Sequence, residues 1–146
     1  MGYSRRNSQN RSATPRRLIF QCIHEIMLEI KNSKIDGKGI FTDKGIVKGE
    51  RFYNIPLDNI SSTPRLHWAR IGDKFIGDDK VLDWVNHSCV PNTMIGAGES
   101  PALIALCNIE AGEEITCDYN KTETSGQKYK CNCGSPGCRG YYLAEK

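Results

Sequence analysis

Apolar residues in this chain come in short runs broken by glycine, proline and charge, with little of the recurrence that marks a helix face. Residues 26–30 form an apolar-rich strand candidate, and Gly37 and Gly39 frame a bend leading through Ile40 and Phe41 into a second. Gly49-Glu50 marks a turn before residues 51–55, where Phe52, Tyr53 and Ile55 suit a half-buried strand. Pro56 and Pro64 deny the following stretch a long regular element, because proline withholds an amide donor and restricts its neighbour. Phe75-Ile76, Met94-Ile95 and residues 115–118 are further short strands, and residues 81–85 fit a single helical turn. The unbroken apolar run 102–109 has the length of a central strand buried on both faces. The pattern predicts a mainly β domain of several small sheets, without internal repeats.

Composition narrows the class. A chain of 146 residues with 38% hydrophobic and 25% charged content is one domain's worth, with enough apolar material for one core. The longest membrane candidate, 18–30, is interrupted by Gln21, His24, Glu25 and Glu29 and falls short of the roughly 20 residues a span needs. The net charge of +3 is uneven: residues 1–17 hold five arginines and no acid, which leaves −2 on the remainder. A basic tail on a slightly acidic body argues against a folded nucleic-acid-binding surface. The tail is polar and is expected to be a disordered, solvated leader. Contact with an acidic polymer or an organelle transit peptide are the sharper alternatives. No secretory leader is recognisable, and Arg6 stands where a myristoylation motif wants Ser or Thr. Seven cysteines without secretion point to a reducing intracellular compartment, cytoplasm or nucleus, where clustered thiols bind metal.

Three of those cysteines, Cys131, Cys133 and Cys138, share one short loop with Gly134, Gly137 and Gly140. The loop has almost no apolar side chain to fold around, so a zinc ion would supply its ordering energy. A closed structural zinc site wants four N or S ligands, and three thiolates leave it one short. Cys89 is a candidate for the fourth, and His87, Cys107 and Cys117 are rivals. The last two lie in apolar strand runs where a small buried thiol is the ordinary explanation. Cys22 has no evident partner.

The segments Asn86-His87-Ser88-Cys89-Val90-Pro91-Asn92, Gly112-Glu113-Glu114-Ile115-Thr116-Cys117-Asp118-Tyr119 and the C-terminal cysteine loop occur in that order. Together they resemble the SET-domain protein-lysine methyltransferases with a post-SET zinc loop. The resemblance covers roughly residues 26–143 and implies a mainly β fold of small curved sheets with a threaded C-terminal segment. It divides the chain into a basic tail (1–25), a SET domain (26–120) and a post-SET zinc segment (121–146). It also selects Cys89 as the partner of Cys131, Cys133 and Cys138. S-adenosylmethionine is the implied cofactor, with Lys38, Gly39, Ile40, Asn86, His87, Tyr142 and Leu143 around it. Tyr119 is the implied catalytic residue, Tyr53, Cys117 and Tyr119 line the implied lysine channel, and Asn92 and Pro91 shape the loop crossing.

A lysine amine of pKa about 10.4 lies roughly 3.4 units from neutral at pH 7, a deficit of ~4.6 kcal/mol. Burial beside a sulfonium removes much of it, so the site needs shape and polar positioning more than a general base. Two positions depart from the family pattern: Ile55 stands where a tyrosine is usual, and Cys117 where Phe or Tyr is usual. The smaller Cys117 implies a roomier pocket and di- or trimethyl-lysine as product. The expected partner is a lysine-containing protein, a histone or other basic protein, with no specific nucleic acid and no membrane. The competing reading is a catalytically weak, zinc-containing binding module. A small nucleic-acid-binding zinc protein would need more basic residues than Lys128, Lys130 and Arg139.

Overall fold

The computed structural model describes residues 26–65, 68–122 and 127–143, so the tail expected over 1–25, with Cys22, lies outside the described residues. Strands β1 (Leu28–Asn32), β2 (Lys38–Thr42), β7 (Asn86–His87) and β10 (Glu114–Cys117) form one sheet in the order β1-β2-β10-β7. A second sheet has β3 (Arg51–Asn54), β9 (Ala102–Ala105) and β8 (Thr93–Gly96) in the order β3-β9-β8. The third, ordered β4-β6-β5, is built from β4 (Ile60–Ser61), β6 (Lys74–Ile76) and β5 (Ala69–Ile71). Finally, β11 (Lys128–Lys130) pairs antiparallel with β12 (Tyr141–Leu143). Two single 3₁₀ turns, Leu82–Trp84 and Tyr119–Lys121, are the helical content of the described residues. The chain is therefore mainly β.

Most of the expected strands form, with boundaries displaced by one or two residues. The strand expected over 26–30 is Leu28–Asn32, and the helical turn expected over 81–85 is the 3₁₀ turn Leu82–Trp84. The apolar run 102–109 divides in two. Its first part is β9, where Ala102, Leu103 and Ala105 are at most 2% exposed, as a central strand requires. Leu106 and Cys107 then turn outward, and the chain re-enters the core at Ile109, whose amide and carbonyl pair with Ile46 at 2.9 and 2.8 Å. The expectation of a buried Cys107 is thus corrected: an uninterrupted apolar run conceals a turn, and the thiol is exposed on it.

Ile40, Ile115 and Cys117 from the first sheet join Leu103 and Ala105 from the second in one buried cluster with Ile46, Val81, Val85 and Ile109. No buried side-chain nitrogen or oxygen among the described residues lacks a hydrogen-bond partner. Asn92 shows how this is achieved. Its carboxamide donates to the Glu114 carbonyl and accepts from the Thr116 amide, each at 2.8 Å, in the manner of a neighbouring strand. The next residue, Thr93, donates its hydroxyl to the Thr116 carbonyl at 2.8 Å. Asn92→Ala removes both carboxamide bonds and should lower unfolding stability by about 2 kcal/mol. Urea denaturation measures the loss, and an unchanged midpoint would contradict the role.

Candidate functional site

Strand β7 runs parallel to the end of β10, with Asn86 opposite Thr116 and His87 opposite Cys117. The Asn86 carboxamide donates to the carbonyls of Asp36 and Lys38 at 3.2 and 3.0 Å and to the Glu114 carboxylate at 2.7 Å. Ser33 donates its hydroxyl to the same carboxylate at 2.8 Å. Gly39 is what lets these groups meet. A Cβ there would lie 2.7 Å from the Glu114 carboxyl carbon and 3.1 Å from Asn86 Nδ2. The glycine of the bend thus makes room for the Asn86–Glu114 pair. Ile40 points into the core, so only its main chain is available to a ligand, while the Lys38 ammonium is exposed 3.5 Å from Asn32 Oδ1.

His87 is 4% exposed. Burial pushes its pKa below the ordinary imidazole value, outweighing the opposite pull of the Asp118 carboxylate at 3.7 Å. The neutral ring accepts the Tyr119 amide proton at Nδ1 over 3.1 Å, which puts its own proton on Nε2, 3.5 Å from Cys89 Sγ. Tyr142 packs on the imidazole with ring centroids 4.4 Å apart and meets Tyr119 edge-on at 5.3 Å. The Tyr119 hydroxyl donates to the Val85 carbonyl at 2.6 Å, which fixes its direction.

Two cavities flank Tyr119. One, of about 220 Å³, is a cleft with Ile35, Asn86, His87, Tyr129 and Tyr142 on its walls. The other, of about 70 Å³, has a mixed wall in which Trp68, Leu82, Val85, Ile95 and Cys117 stand beside Asp83 and Thr122. Tyr119 lines both. Burial, with the Asp118 carboxylate adding to it, pushes the Cys117 thiol up to about 12, so it is a neutral wall group.

Tyr53 is not among the residues lining either cavity with Tyr119. Its hydroxyl donates to buried Asp78 at 2.6 Å, and burial together with that carboxylate holds the phenol above its usual pKa. Asp78 also takes the Val81 and Lys80 amides, so Tyr53 is committed to holding the 3₁₀ turn that follows. Leu143 pairs its backbone with Lys128 at the end of β12.

The sulfurs of Cys89, Cys131, Cys133 and Cys138 all lie within 4.8 Å of one another, and Cys89 and Cys131 are 3.7 Å apart. Tetrahedral zinc at a Zn–S distance of about 2.3 Å needs sulfurs about 3.8 Å apart, so this donor set fits the ion. The Arg139 amide donates to Cys89 at 3.4 Å and the Gly140 amide to Cys138 at 3.3 Å. Gly140 has φ +78, a conformation that a side chain would strain. Burial opposes ionisation at Cys133, yet donors from Cys89 and Ser135 bring its thiol down to about 5; burial pushes Cys131 up to about 12. Of the rivals for the fourth ligand, Cys107 is exposed on its turn and Cys117 is in the core, while His87 adjoins the cluster with Nε2 3.5 Å from Cys89 Sγ and is not one of the four mutually close donors.

Several site residues escaped sequence reasoning. Glu114 lies inside a quoted motif, and its role is visible only when Gly39 and Asn86 close on it. Tyr129 sits between two lysines with no local cue, and it reaches the cleft by stacking on Tyr142 across the β11–β12 pair, centroids 5.3 Å apart.

A family model described as SET domain matches residues 15–120. A histone-lysine N-methyltransferase, H3 lysine-4 specific, from Schizosaccharomyces pombe is 30% identical over 132 residues, covering 75% of this chain and 14% of its own length. An H3 lysine-36 specific enzyme of Candida albicans is 25% identical over 134 residues, covering 76% of this chain and 16% of its own. The chain therefore spans a small part of these relatives. In fold it is similar to KRYPTONITE in complex with mCHH DNA, H3(1-15) peptide and SAH. That likeness has a TM-score of 0.64 at 21% identity, over 80% of this chain and 29% of that one.

Metal analysis of the purified protein should give close to one zinc per chain. Cys89→Ser should weaken its retention against a chelator by on the order of a hundredfold, because three thiolates leave the coordination incomplete. A folded, metal-free wild-type protein would contradict the assignment.

Proposed function

The chain belongs to the SET-domain family, and from that premise we propose that it is an S-adenosylmethionine-dependent protein-lysine N-methyltransferase. The observation that carries this reading is Tyr119 lining both a polar cleft of about 220 Å³ and a second, small cavity of about 70 Å³. Such a pair of compartments suits a reaction in which donor and acceptor enter from opposite sides and meet at one small opening. The relatives' names and the SAH in the KRYPTONITE complex support the same chemistry.

In this reading the cleft holds the cofactor through the main chain of Lys38, Gly39 and Ile40, the segment Asn86-His87, and Tyr142, with Leu143 at the end of β12. S-adenosylmethionine supplies a methyl group activated on a sulfonium. The apolar residues of the small cavity, Trp68, Leu82, Val85 and Ile95, strip water from the acceptor side chain and lower its amine pKa, against the pull of Asp83 in the same wall. The Tyr119 hydroxyl proton is engaged by Val85, so its oxygen is presented as an acceptor for an amine N–H, which turns the nitrogen lone pair toward the methyl group. Cys117, held neutral, does not compete as a nucleophile.

Residues 26–120 are assigned as the transfer domain and 121–146 as its zinc-held closure, with the basic segment 1–25 preceding them. The substrate is a lysine in a histone or another basic protein. Among the described residues no helix is long and apolar enough to cross a membrane. The thiolate cluster suits a reducing intracellular setting, cytoplasm or nucleus. The competing reading, a zinc-containing binding module, draws on Ile55 in the tyrosine position and on Tyr53 being tied to Asp78.

Incubation with labelled S-adenosylmethionine and a panel of basic proteins separates the two readings, since a module transfers no label. Tyr119→Phe should lower kcat by on the order of a hundredfold with cofactor affinity nearly unchanged. Asn86→Ala should weaken cofactor binding first. Full activity in Tyr119→Phe would remove the catalytic assignment.

The degree of methylation follows from Cys117. It offers neither the bulk nor the hydroxyl of the family's usual aromatic, and Tyr53 is held away by Asp78. Exhaustive reaction should yield di- or trimethyl-lysine by mass spectrometry. A product that stays monomethyl in the wild type and in Cys117→Ala would place the limit on another residue.

A further inference from the structure

Arg139 follows the last cysteine of the loop, and both halves of the residue make directed contacts. Its amide donates to Cys89 Sγ at 3.4 Å. Its guanidinium donates to Asp118 Oδ1 at 3.2 Å. That carboxylate oxygen also accepts the Asn120 amide at 3.1 Å, capping the 3₁₀ turn whose first residue is Tyr119. The guanidinium is 43% exposed and Asp118 18% exposed, so the pair has little value as a stabilising salt bridge. Its geometry is more telling: one residue joins a thiolate ligand to the cap of the turn that aims Tyr119.

We propose that Arg139 is a positioning residue for methyl transfer. Its side chain sets the Asp118 cap, and through it the orientation of Tyr119, while its main chain stays on the cysteine cluster. The proposal rests on the methyltransferase reading for its kinetic part only. The cap can be lost without unfolding, because β10 is held independently by β2, β7 and Asn92. It can also be lost without losing the metal, because the four sulfurs and the amide bond to Cys89 remain in every side-chain variant; the guanidinium also bonds to Cys89, so zinc content is read beside activity.

The test compares the full chain with Arg139→Ala, Arg139→Lys and Arg139→Glu. Three quantities are read: zinc per chain, hydrogen exchange of the Tyr119 and Asn120 amides, and kcat with the KM for S-adenosylmethionine. Zinc content should stay near one per chain in all four. Exchange at the two amides should speed up in Arg139→Ala and more in Arg139→Glu, where like charges face each other. In Arg139→Lys it should return toward wild type. In Arg139→Ala kcat should fall on the order of tenfold with little change in KM, and the lysine variant should recover part of it. Wild-type exchange and kcat in Arg139→Ala overturn the proposal, as does a variant that loses zinc in parallel with activity, which would make Arg139 merely a part of the loop. Exchange needs no substrate. A wild type that transfers no methyl, with the amide effects intact, therefore leaves the positioning link standing and overturns the methyltransferase reading instead.

Discussion

Strand β10 is gripped along both edges, and the site exists because of that grip. On one edge Glu114 and Ile115 pair with Phe41 and Ile40 of β2; further along, Thr116 and Cys117 pair in parallel with Asn86 and His87 of β7. The asparagine carboxamide of Asn92 takes a carbonyl and an amide of the same strand. Two segments far apart in sequence, β2 and the stretch 86–92, are thereby fixed to four residues. Tyr119 is two residues beyond the end of the strand, so its freedom is already small before its own hydroxyl and amide are bonded. Parallel pairing of two-residue length has little stability of its own. The buried side chains of Ile115 and Cys117 on the core face and the Asn86–Glu114 bond beneath Gly39 keep it in register.

The C-terminal segment is held differently. Lys128, Tyr129 and Lys130 of β11 are exposed, and Tyr141 of β12 is 41% exposed, so apolar burial contributes little there. A two-stranded pair with no hydrophobic face is marginal by itself. Structural zinc binding supplies about 10–16 kcal/mol of apparent free energy in small domains, far more than these contacts could. Cys89 is the ligand that makes this energy useful to the site, since the other three lie in the loop itself. Anchoring the loop to Cys89 brings Tyr142 onto His87 and Tyr129 onto Tyr142, which closes one wall of the cleft.

Strands β1, β2, β3, β6, β8, β9 and β10 and the cysteine set were legible in the sequence because each has a local signature. Alternating or continuous apolar runs mark β2, β3, β8, β9 and β10, and cysteine spacing marks the loop. The division of residues 102–109 was not legible, because Leu106 and Cys107 are as apolar as the strand before them and nothing in composition marks the turn. Strands β7 and β12 were also invisible as strands: Asn86-His87 and the tyrosine pair have no periodicity, and they pair only because distant segments offer them an edge. The role of Tyr53 shows the same limit. Its spacing from Ile55 puts both on one face of the strand, but a buried carboxylate supplied by Asp78, 25 residues later, captures its hydroxyl.

That capture bears on how a channel without the usual second tyrosine can still work. A phenol aimed at the acceptor amine would offer one more polar contact to a group that must lose water to become a nucleophile. With Tyr53 bonded to Asp78 and Cys117 neutral, the small cavity has a mixed wall, Trp68, Leu82, Val85 and Ile95 beside Asp83 and Thr122, with Tyr119 next to the cleft. The apolar part of such a wall disfavours an ammonium through desolvation, while the Asp83 carboxylate pulls the other way. The apolar side chains would impose no fixed orientation on a partly methylated amine, whose added methyl groups need apolar room and no hydrogen-bond partner. In the proposed methyltransferase reading, the loss of one tyrosine is thus compatible with transfer and with successive transfers. The burden of alignment then falls on Tyr119 and on whatever holds its turn.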